Sequence, residues 1–174
     1  GRAVGGSTLL NSGTCYRTPE QVRAEWECHH GLRLAGEGYE ERLDEVERML
    51  QVAPVPAEVM GRNGAIMLAG ADALGWRAAP LVRNAPGCGG CCQCSIGCPR
   101  NAKFGVHLNA LPQAVSAGAR IVSNARVLRV VVERGRAVGV EACRPDGTTL
   151  RIDAPRVVVA AGTTESPALL RRSW

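Results

Sequence analysis

The apolar positions in the first half of the chain recur with the period of an α-helix. Between residues 37 and 52, acidic and basic residues surround one apolar helical face formed by Leu43, Val46, Met49 and Leu50. This pattern is typical of an amphipathic surface helix. Earlier in the chain, Thr18 offers an N-cap, with Pro19 at the first helical position and Gln21 three residues after the cap. The pattern predicts helices over residues 19–27, 37–52, 60–76 and 107–116.

From residue 119 the pattern changes to short Val- and Ile-rich runs, which are typical of strands. Arg134-Gly135 and Arg144-Pro145-Asp146-Gly147 supply turns, so adjacent strands are expected to form hairpins. Residues 156–162 read as a continuously apolar strand, buried on both faces as in a parallel sheet and followed by a helix over 164–171. The predicted strands cover residues 121–122, 127–133, 137–143, 150–152 and 157–160. The two halves together predict a mixed α/β (α+β) fold.

Composition limits the size and the partners of this fold. The 174 residues, 45% of them hydrophobic, suffice for one domain or part of one. The 21 Lys and Arg residues are scattered among 16 Asp and Glu residues, which indicates a mixed surface and no nucleic-acid partner. No apolar run is long enough for a membrane span, and no signal peptide is evident. Because the chain starts without Met, we expect an interior piece of a longer protein.

Near the start of the chain, a Gly-Gly-Ser-Thr segment is the first candidate for binding chemistry. Glycine has no Cβ, so the backbone of Gly5 and Gly6 can approach a bulky ligand closely. Ser7 and Thr8 add hydroxyl groups and backbone N–H groups. A phosphate, a pyrophosphate or a ring carbonyl could dock there. The alternative interpretation is an ordinary glycine turn at the start of a helix.

The stretch Gly5-Gly6-Ser7-Thr8-Leu9-Leu10-Asn11-Ser12-Gly13-Thr14, followed by Arg17 and Trp26, resembles the flavin-proximal segment of the glucose-methanol-choline (GMC) oxidoreductase family. The family residue at position 12 is usually glycine, and here it is serine. Covalently flavinylated members carry histidine where this chain has Leu10, so the resemblance implies non-covalent FAD. It implies FAD-binding positions at Gly5, Gly6, Ser7, Asn11, Ser12 and Thr14.

Two segments of the second half extend the resemblance. Val127, which follows Asn124-Ala125-Arg126, is similar to the family residue whose backbone pairs with the adenine edge of FAD. The Val-Val-Val-Ala-Ala-Gly run ending at Ala161-Gly162 is similar to the family's strand and turn near the ADP half of the cofactor. A core valine and a generic strand-turn-helix are the alternative interpretations.

The resemblance covers the whole chain, although GMC members are roughly three times longer. It implies that residues 1–174 are a partial, Rossmann-like FAD-binding domain without the Gly-x-Gly-x-x-Gly start. The family's catalytic histidine has no counterpart here, so no catalytic residue is predicted. The implied activity is oxidation of a CH–OH group in a small alcohol, sterol or sugar, with hydride passing to flavin N5. A catalytically inactive truncated fragment is an alternative.

Residues 86–103 form a predicted irregular, Cys-rich loop insertion. Its spacing, Cys88-x2-Cys91-x2-Cys94-x3-Cys98-Pro99, reproduces that of bacterial ferredoxins and makes these four cysteines candidate iron–sulfur ligands. An iron–sulfur electron-transfer module, with an electron-acceptor protein as partner, is therefore the rival hypothesis. A metal-free loop also stays open, because the segment resembles a loop in the GMC branch that includes long-chain alcohol oxidases.

The distribution of the cysteines along the chain also predicts the cellular compartment. The chain has eight cysteines, five of them between Cys88 and Cys98, whereas a secreted disulfide framework would space them along the chain. A reducing, cytoplasmic location is therefore predicted.

Overall fold

The computed structural model describes residues 2–34 and 37–174, with the side chain of Glu37 left out. The chain divides into two compact units, Gly1–Ala119 and Arg120–Trp174. Helices dominate the first unit and strands the second, so the predicted mixed α/β class with a helical first half and a strand-rich second half is confirmed. None of the described helices is both long enough and apolar enough to cross a bilayer.

The first unit begins with a single 3-10 turn at Gly6–Leu9, and its remaining elements are mostly helical. The three longer helices confirm the helical periods, with ends shifted by a few residues. In chain order the elements are α1 (Glu20–His30), α2 (Glu37–Leu50), β1 (Ala53–Pro54), α3 (Ala57–Ala73), β2 (Val82–Arg83) and α4 (Ala110–Ser116).

The predicted N-cap of α1 is wrong. Pro19 occupies the cap position and supplies no side-chain cap, while the Thr18 hydroxyl lies 3.1 Å from the hydroxyl of Tyr39 in α2. The Thr18 hydroxyl, which the local sequence predicts as the cap of α1, therefore makes a tertiary contact with α2 instead. In α3, Gly61 leaves the helical conformation at φ 72° and ψ 175°, which kinks the first turn.

Arg17 ties the segment before α1 to the acidic face of α2. Its guanidinium contacts the carboxylates of Glu40, at 2.9 Å, of Glu47, at 2.6 Å, and of Asp44. Hydrogen bonding to Arg17 lowers the pKa of the Glu47 carboxyl, and burial only partly opposes this effect. The acidic positions that the helical period placed on the polar face of α2 therefore hold the preceding segment of chain.

The second unit is an antiparallel sheet with one helix on it. Its elements are β3 (Arg126–Glu133), β4 (Arg136–Cys143), β5 (Thr149–Asp153) and α5 (Glu165–Ser173), and the strand order is β3-β4-β5. Arg134 and Gly135 both have positive φ, as a two-residue hairpin turn of this twist requires. The predicted hairpins are therefore confirmed, with Glu133 opposite Arg136 and Cys143 opposite Thr149.

The core of this unit lies between β3, β4 and α5. Its buried apolar side chains are Val130, Val131, Ala142 and Leu169. The Ser173 hydroxyl accepts a hydrogen bond of 2.8 Å from the Val130 N–H and donates one of 2.7 Å to the Leu169 carbonyl. The last turn of α5 is thereby fixed to an edge of β3.

Two predicted strands are wrong. Residues 121–122 and 157–160 have no strand assignment, and Val158 is 89% exposed. A continuously apolar strand needs sheet neighbours and a layer on each face. In the part of the second unit that the structure describes, the sheet consists of β3, β4 and β5 alone. Residues 157–160 therefore alternate between half-buried and exposed positions.

Candidate functional site

The candidate site in the first unit starts at a glycine turn. Gly5 and Gly6 have φ of 96° and 54°, a region that side chains other than glycine rarely adopt. The Gly5 carbonyl accepts a 2.6 Å hydrogen bond from the Thr8 hydroxyl. A Cβ on Gly5 would collide with Leu9 and lie 3.3 Å from the Cβ of His107. Glycine is therefore favoured at position 5 by its backbone conformation and by the close approach of Leu9 and His107.

Gly6 differs from Gly5 because a Cβ there would meet no atom within 4 Å. The backbone is thus open on that side, and the neighbouring Ser7 side chain is exposed. An open glycine backbone beside a hydroxyl allows close approach by a flat or phosphorylated group. Gly6 and Ser7 therefore fit the FAD contact that the sequence predicts for them, whereas the predicted contact Gly5 faces Leu9 and His107.

After the turn, the chain continues through a second strained stretch. Asn11 has a left-handed φ of 71°, and its side-chain amide donates to the Ser7 carbonyl at 3.3 Å. The hydroxyls of Ser12 and Thr14 lie 3.2 Å apart. Four of the six predicted FAD positions in this unit are therefore linked in pairs, Asn11 with Ser7 and Ser12 with Thr14.

The β2 region braces this stretch. The Asn84 N–H donates to the Gly13 carbonyl at 3.1 Å, and the Cys15 N–H donates to the Val82 carbonyl at 2.9 Å. The Nε of Arg83 donates to the Ser12 carbonyl at 2.8 Å. Glycine is favoured at position 13, because φ there is 71° and a Cβ would lie 2.6 Å from the side-chain oxygen of Asn84. The end of the predicted flavin segment, from Ser12 to Cys15, is thus held by main-chain pairing with the β2 region and by the Arg83 side chain.

Lys103 is a further residue of the site, which the sequence did not reveal as one. It is the sole lysine of the chain and only 3% exposed. Its ammonium donates to the carbonyl oxygens of Asn11 and Cys94, each at 2.8 Å. Burial lowers the pKa of this ammonium, and the thiols of Cys94 and Cys98 partly offset that effect. Lys103 therefore joins the predicted flavin segment, residues 5–14, to the Cys-rich loop.

The geometry of the ammonium group explains why a lysine occupies this position. A compact ammonium carries three donors that can point to separate carbonyl oxygens, whereas a guanidinium presents a flat fork. The two acceptors of Lys103 belong to separate segments of chain. No local sequence signal marks such a residue, because both partners are main-chain atoms.

The Cys-rich loop is irregular, as predicted, but the structure does not assemble its thiols into a ligand set. Among the described residues, no three His, Cys, Asp or Glu side chains are grouped so that they could hold a metal ion. The proposed cluster ligands Cys88, Cys91, Cys94 and Cys98 are therefore four separate free thiols. The iron–sulfur interpretation has no support in this geometry.

Two of these thiols have other contacts. The Cys94 sulfur accepts a 2.9 Å hydrogen bond from Arg83. Burial raises the pKa of the Cys98 thiol, but the backbone N–H groups of Lys103, Arg100 and Ala102 outweigh burial and lower it overall. The ferredoxin-like spacing therefore accompanies a loop held by basic side chains and backbone donors.

A cavity of about 340 Å³ lies where this loop meets the glycine turn. Leu9, Cys98, Lys103 and His107 are among its lining residues. The Nδ1 atom of His107 is buried without a hydrogen-bond partner. A buried, unpaired polar atom beside a glycine turn is consistent with a polar ligand at this place.

The remaining predicted positions lie in the second unit. Val127 is half-buried in β3 opposite Ala142, beside an irregularity of register before Arg129. Ala161 and Gly162 are exposed in the turn before α5. The Ala161 N–H donates to the Ser166 hydroxyl at 3.0 Å, and Gly162 has a φ of 90°. The predicted adenine and ADP contacts are thus a strand residue and a glycine turn.

The comparisons with known proteins agree on one family. The sequence model described as GMC oxidoreductase matches residues 1–173. An uncharacterized GMC-type oxidoreductase of Mycobacterium tuberculosis is 64% identical over 174 residues, covering 99% of this chain and 28% of the relative. One of Sinorhizobium fredii is 32% identical over 178 residues, covering 99% of this chain and 35% of the relative.

A long-chain-alcohol oxidase of Arabidopsis thaliana is 28% identical over 191 residues, covering 99% of this chain and 25% of the relative. The chain thus spans between a quarter and about a third of the length of these relatives. The family match, in contrast, extends over nearly every residue of the chain. The chain belongs to the GMC oxidoreductase family, as the resemblance of its glycine segment predicted.

Proposed function

We propose that this chain is the flavin-binding part of an FAD-dependent oxidoreductase that oxidises the CH–OH group of an alcohol. The observation that carries the proposal is the glycine turn of a GMC family chain, packed at Gly5 and open at Gly6. The long-chain-alcohol oxidases among the relatives support an alcohol as the substrate class.

Each site residue has a proposed part. The open backbone at Gly6 admits the cofactor, and the exposed Ser7 hydroxyl offers it a donor or an acceptor. The paired hydroxyls of Ser12 and Thr14 offer further polar contacts. Leu10 has no nucleophilic nitrogen, which supports non-covalent binding. In the second unit, the backbone of Val127 and the turn at Ala161-Gly162 are the proposed contacts for the ADP half.

The charge around the flavin segment suits an electron-accepting cofactor. The guanidinium of Arg83 and the buried ammonium of Lys103 both donate to main-chain oxygens of this segment. Fixed positive charge favours groups that carry or gain negative charge. When bound, FAD would supply the chemistry by accepting a hydride from the substrate carbon. The chain's own residues would bind it and hold the site rigid.

Location and partners form part of the same proposal. All eight cysteines are free thiols, which supports a reducing, cytoplasmic environment. The proposed partners are a small-molecule alcohol, with a sterol or a sugar as other donors, and an electron-acceptor protein if oxygen does not reoxidise the flavin.

Anaerobic reduction by substrate tests the activity. The full-length protein, purified with its flavin, is mixed with primary alcohols, sterols and sugars in the absence of oxygen. We expect an alcohol to bleach the flavin absorbance, and admission of oxygen or of an artificial acceptor to restore it. Bleaching by dithionite but by none of these donors would contradict alcohol oxidation while leaving the flavin in place.

A further inference from the structure

The cavity where the Cys-rich loop meets the glycine turn contains a buried positive charge without a carboxylate partner. Lys103 lines this cavity and is 3% exposed. An ammonium has three N–H donors, and two of them bind the carbonyl oxygens of Asn11 and Cys94. Among the residues that the structure describes, no Asp or Glu side chain forms an ion pair with Lys103. Buried charges in proteins are normally paired, so an anion in the cavity would be stabilised.

Nearby thiols do not fully supply the missing negative charge. Cys94 and Cys98 raise the pKa of the Lys103 ammonium, but burial outweighs them and lowers that pKa overall. The protein thus holds a cation under conditions that disfavour it. Lys103 reaches this burial within the present chain, so the need for an anion does not arise from an open face of the fold.

The rest of the cavity has a polar part and an apolar part. Gln93 and Asn101 bring amide groups, and His107 brings an imidazole whose Nδ1 is buried without a partner among the described residues. All three side chains can donate hydrogen bonds. Leu9 and Ile96 provide apolar wall, and none of the described lining residues is acidic. The lining therefore suits a ligand with a negatively charged acceptor group and a small apolar body.

This cavity is separate from the predicted FAD positions. None of those positions in the first unit is among the described residues that line it. The backbone of Gly6, which is open to a cofactor, differs in this respect from Gly5, where Leu9 and His107 approach closely. A ligand in the cavity would therefore lie behind the glycine turn and not on its open side.

We infer that the cavity binds a small monocarboxylate, with its carboxylate toward Lys103 and His107 and its apolar body against Leu9 and Ile96. Lys103 is the one Lys or Arg among the described lining residues, so a single negative charge matches it. An inorganic anion would leave the apolar walls uncovered. The volume of about 340 Å³ is at the lower end for small-molecule sites, which fits an organic acid of modest size. The inference goes beyond the proposed function, because this ligand is neither FAD nor the alcohol.

Benzoate and benzamide are the probes that test it, because they have the same flat shape and differ in charge. Each is titrated calorimetrically into the full-length protein at neutral pH. We expect one benzoate per chain, bound about tenfold more tightly than benzamide, because hydrogen bonds to a charged acceptor are the stronger ones. Equal affinity for the two probes would overturn the inference. Absence of benzoate binding would also overturn it.

Two histidine variants locate the binding site. His107→Leu removes the imidazole and with it the buried unpaired nitrogen, so we expect benzoate to bind about fivefold more weakly without a fall in melting temperature. His29→Leu, at an exposed position of α1, is the matched control and should bind benzoate as the natural protein does. A merely structural role of His107 would lower the melting temperature and leave the preference for benzoate over benzamide intact. Equal benzoate affinity in the two variants would contradict the inference.

The flavin content of the same samples separates this inference from the proposed function. Benzoate is titrated into the protein with FAD bound and after its removal, and we expect equal affinities. Binding that appears only after FAD is removed would overturn the inference, because the cofactor itself would then occupy the cavity. A protein that binds benzoate with the expected preference but carries no FAD would refute only the proposed function.

Discussion

The ammonium of Lys103 lies 2.8 Å from the carbonyl oxygen of Asn11, a residue ninety-two positions earlier in the chain. Asn11 has a left-handed backbone, and the same ammonium also holds the carbonyl of Cys94. Removing this buried ammonium would leave both carbonyl oxygens without a donor, which is costly inside a protein. The two segments are therefore held firmly together. The shape of the predicted flavin segment therefore depends on a residue of the Cys-rich loop.

Replacing Lys103 tests this connection. Lys103→Met keeps much of the apolar stem but leaves two carbonyl oxygens without a donor, which costs about 2–3 kcal/mol. We expect lower stability and a rise in the FAD dissociation constant of about tenfold or more, measured by chemical denaturation and by flavin titration. Lys103→Arg is the matched control for charge.

We expect the arginine variant to recover only part of the loss, because its flat fork is a poor match to two separate acceptors. If Lys103→Met bound FAD as tightly as the natural protein, the proposed role of the connection would be wrong.

The two glycines of the turn should respond differently to alanine. Gly5→Ala would drive a methyl group into Leu9 and His107 at a φ of 96°, and we expect about 2–3 kcal/mol of destabilisation. Gly6→Ala meets no atom in the structure, so its cost is the backbone strain of about 1–2 kcal/mol. Its added methyl group would lie where the cofactor is proposed to bind.

We therefore expect Gly6→Ala to weaken FAD binding by more than its small loss of stability accounts for. Thermal unfolding with and without FAD measures both effects. Gly38→Ala in α2, with open space and no positive φ, is the control: it should leave FAD affinity unchanged and should not lower stability, because alanine is the better helix former. Retention of full FAD affinity by Gly6→Ala would refute the open-face interpretation of the turn.

Acid should loosen the Arg17 cluster. The pKa of Glu47 is held below its ordinary value of 4.5 by the hydrogen bond from Arg17. Since the folded-state pKa is the lower one, the stabilisation is fully present above pH 4.5 and is lost as the pH falls through the folded value. We expect the melting temperature to fall with acidification in that window.

Glu47→Gln should be less stable at neutral pH and show a shallower fall with acid. Glu41→Gln, at an exposed position of the same helix, should keep the natural profile. Parallel profiles for the natural protein and Glu47→Gln would show that this pair does not contribute to the acid sensitivity.

Local patterns predicted the elements whose cause is local. The polar and apolar period of α2 and the Arg134-Gly135 turn of the β3–β4 hairpin appear as expected. The two-residue strands β1 and β2 were missed because such short pairs show no period. Thr18 does not cap α1, because its hydroxyl contacts Tyr39. A local sequence pattern cannot predict such a contact between separate segments.

In the candidate site, too, the features with a local cause were predictable and those with a long-range cause were not. The glycines at 5 and 6 were predictable, because backbone freedom is a property of the residue itself. The burial of Lys103 and the support of Ser12 by Arg83 were not, because each joins segments far apart in the chain. The cysteine spacing predicted a cluster, yet Cys94 contacts Arg83 and Cys98 sits among backbone donors. Spacing alone did not determine where these thiols point.

The most direct test of the proposed function is the flavin content of the full-length protein. The protein is purified under gentle conditions, its visible spectrum recorded, and its cofactor released with acid and quantified against protein. The proposal predicts about one FAD per chain, released without proteolysis because Leu10 offers no covalent attachment. A correctly folded protein that carries no FAD, and takes up none on titration, would contradict it.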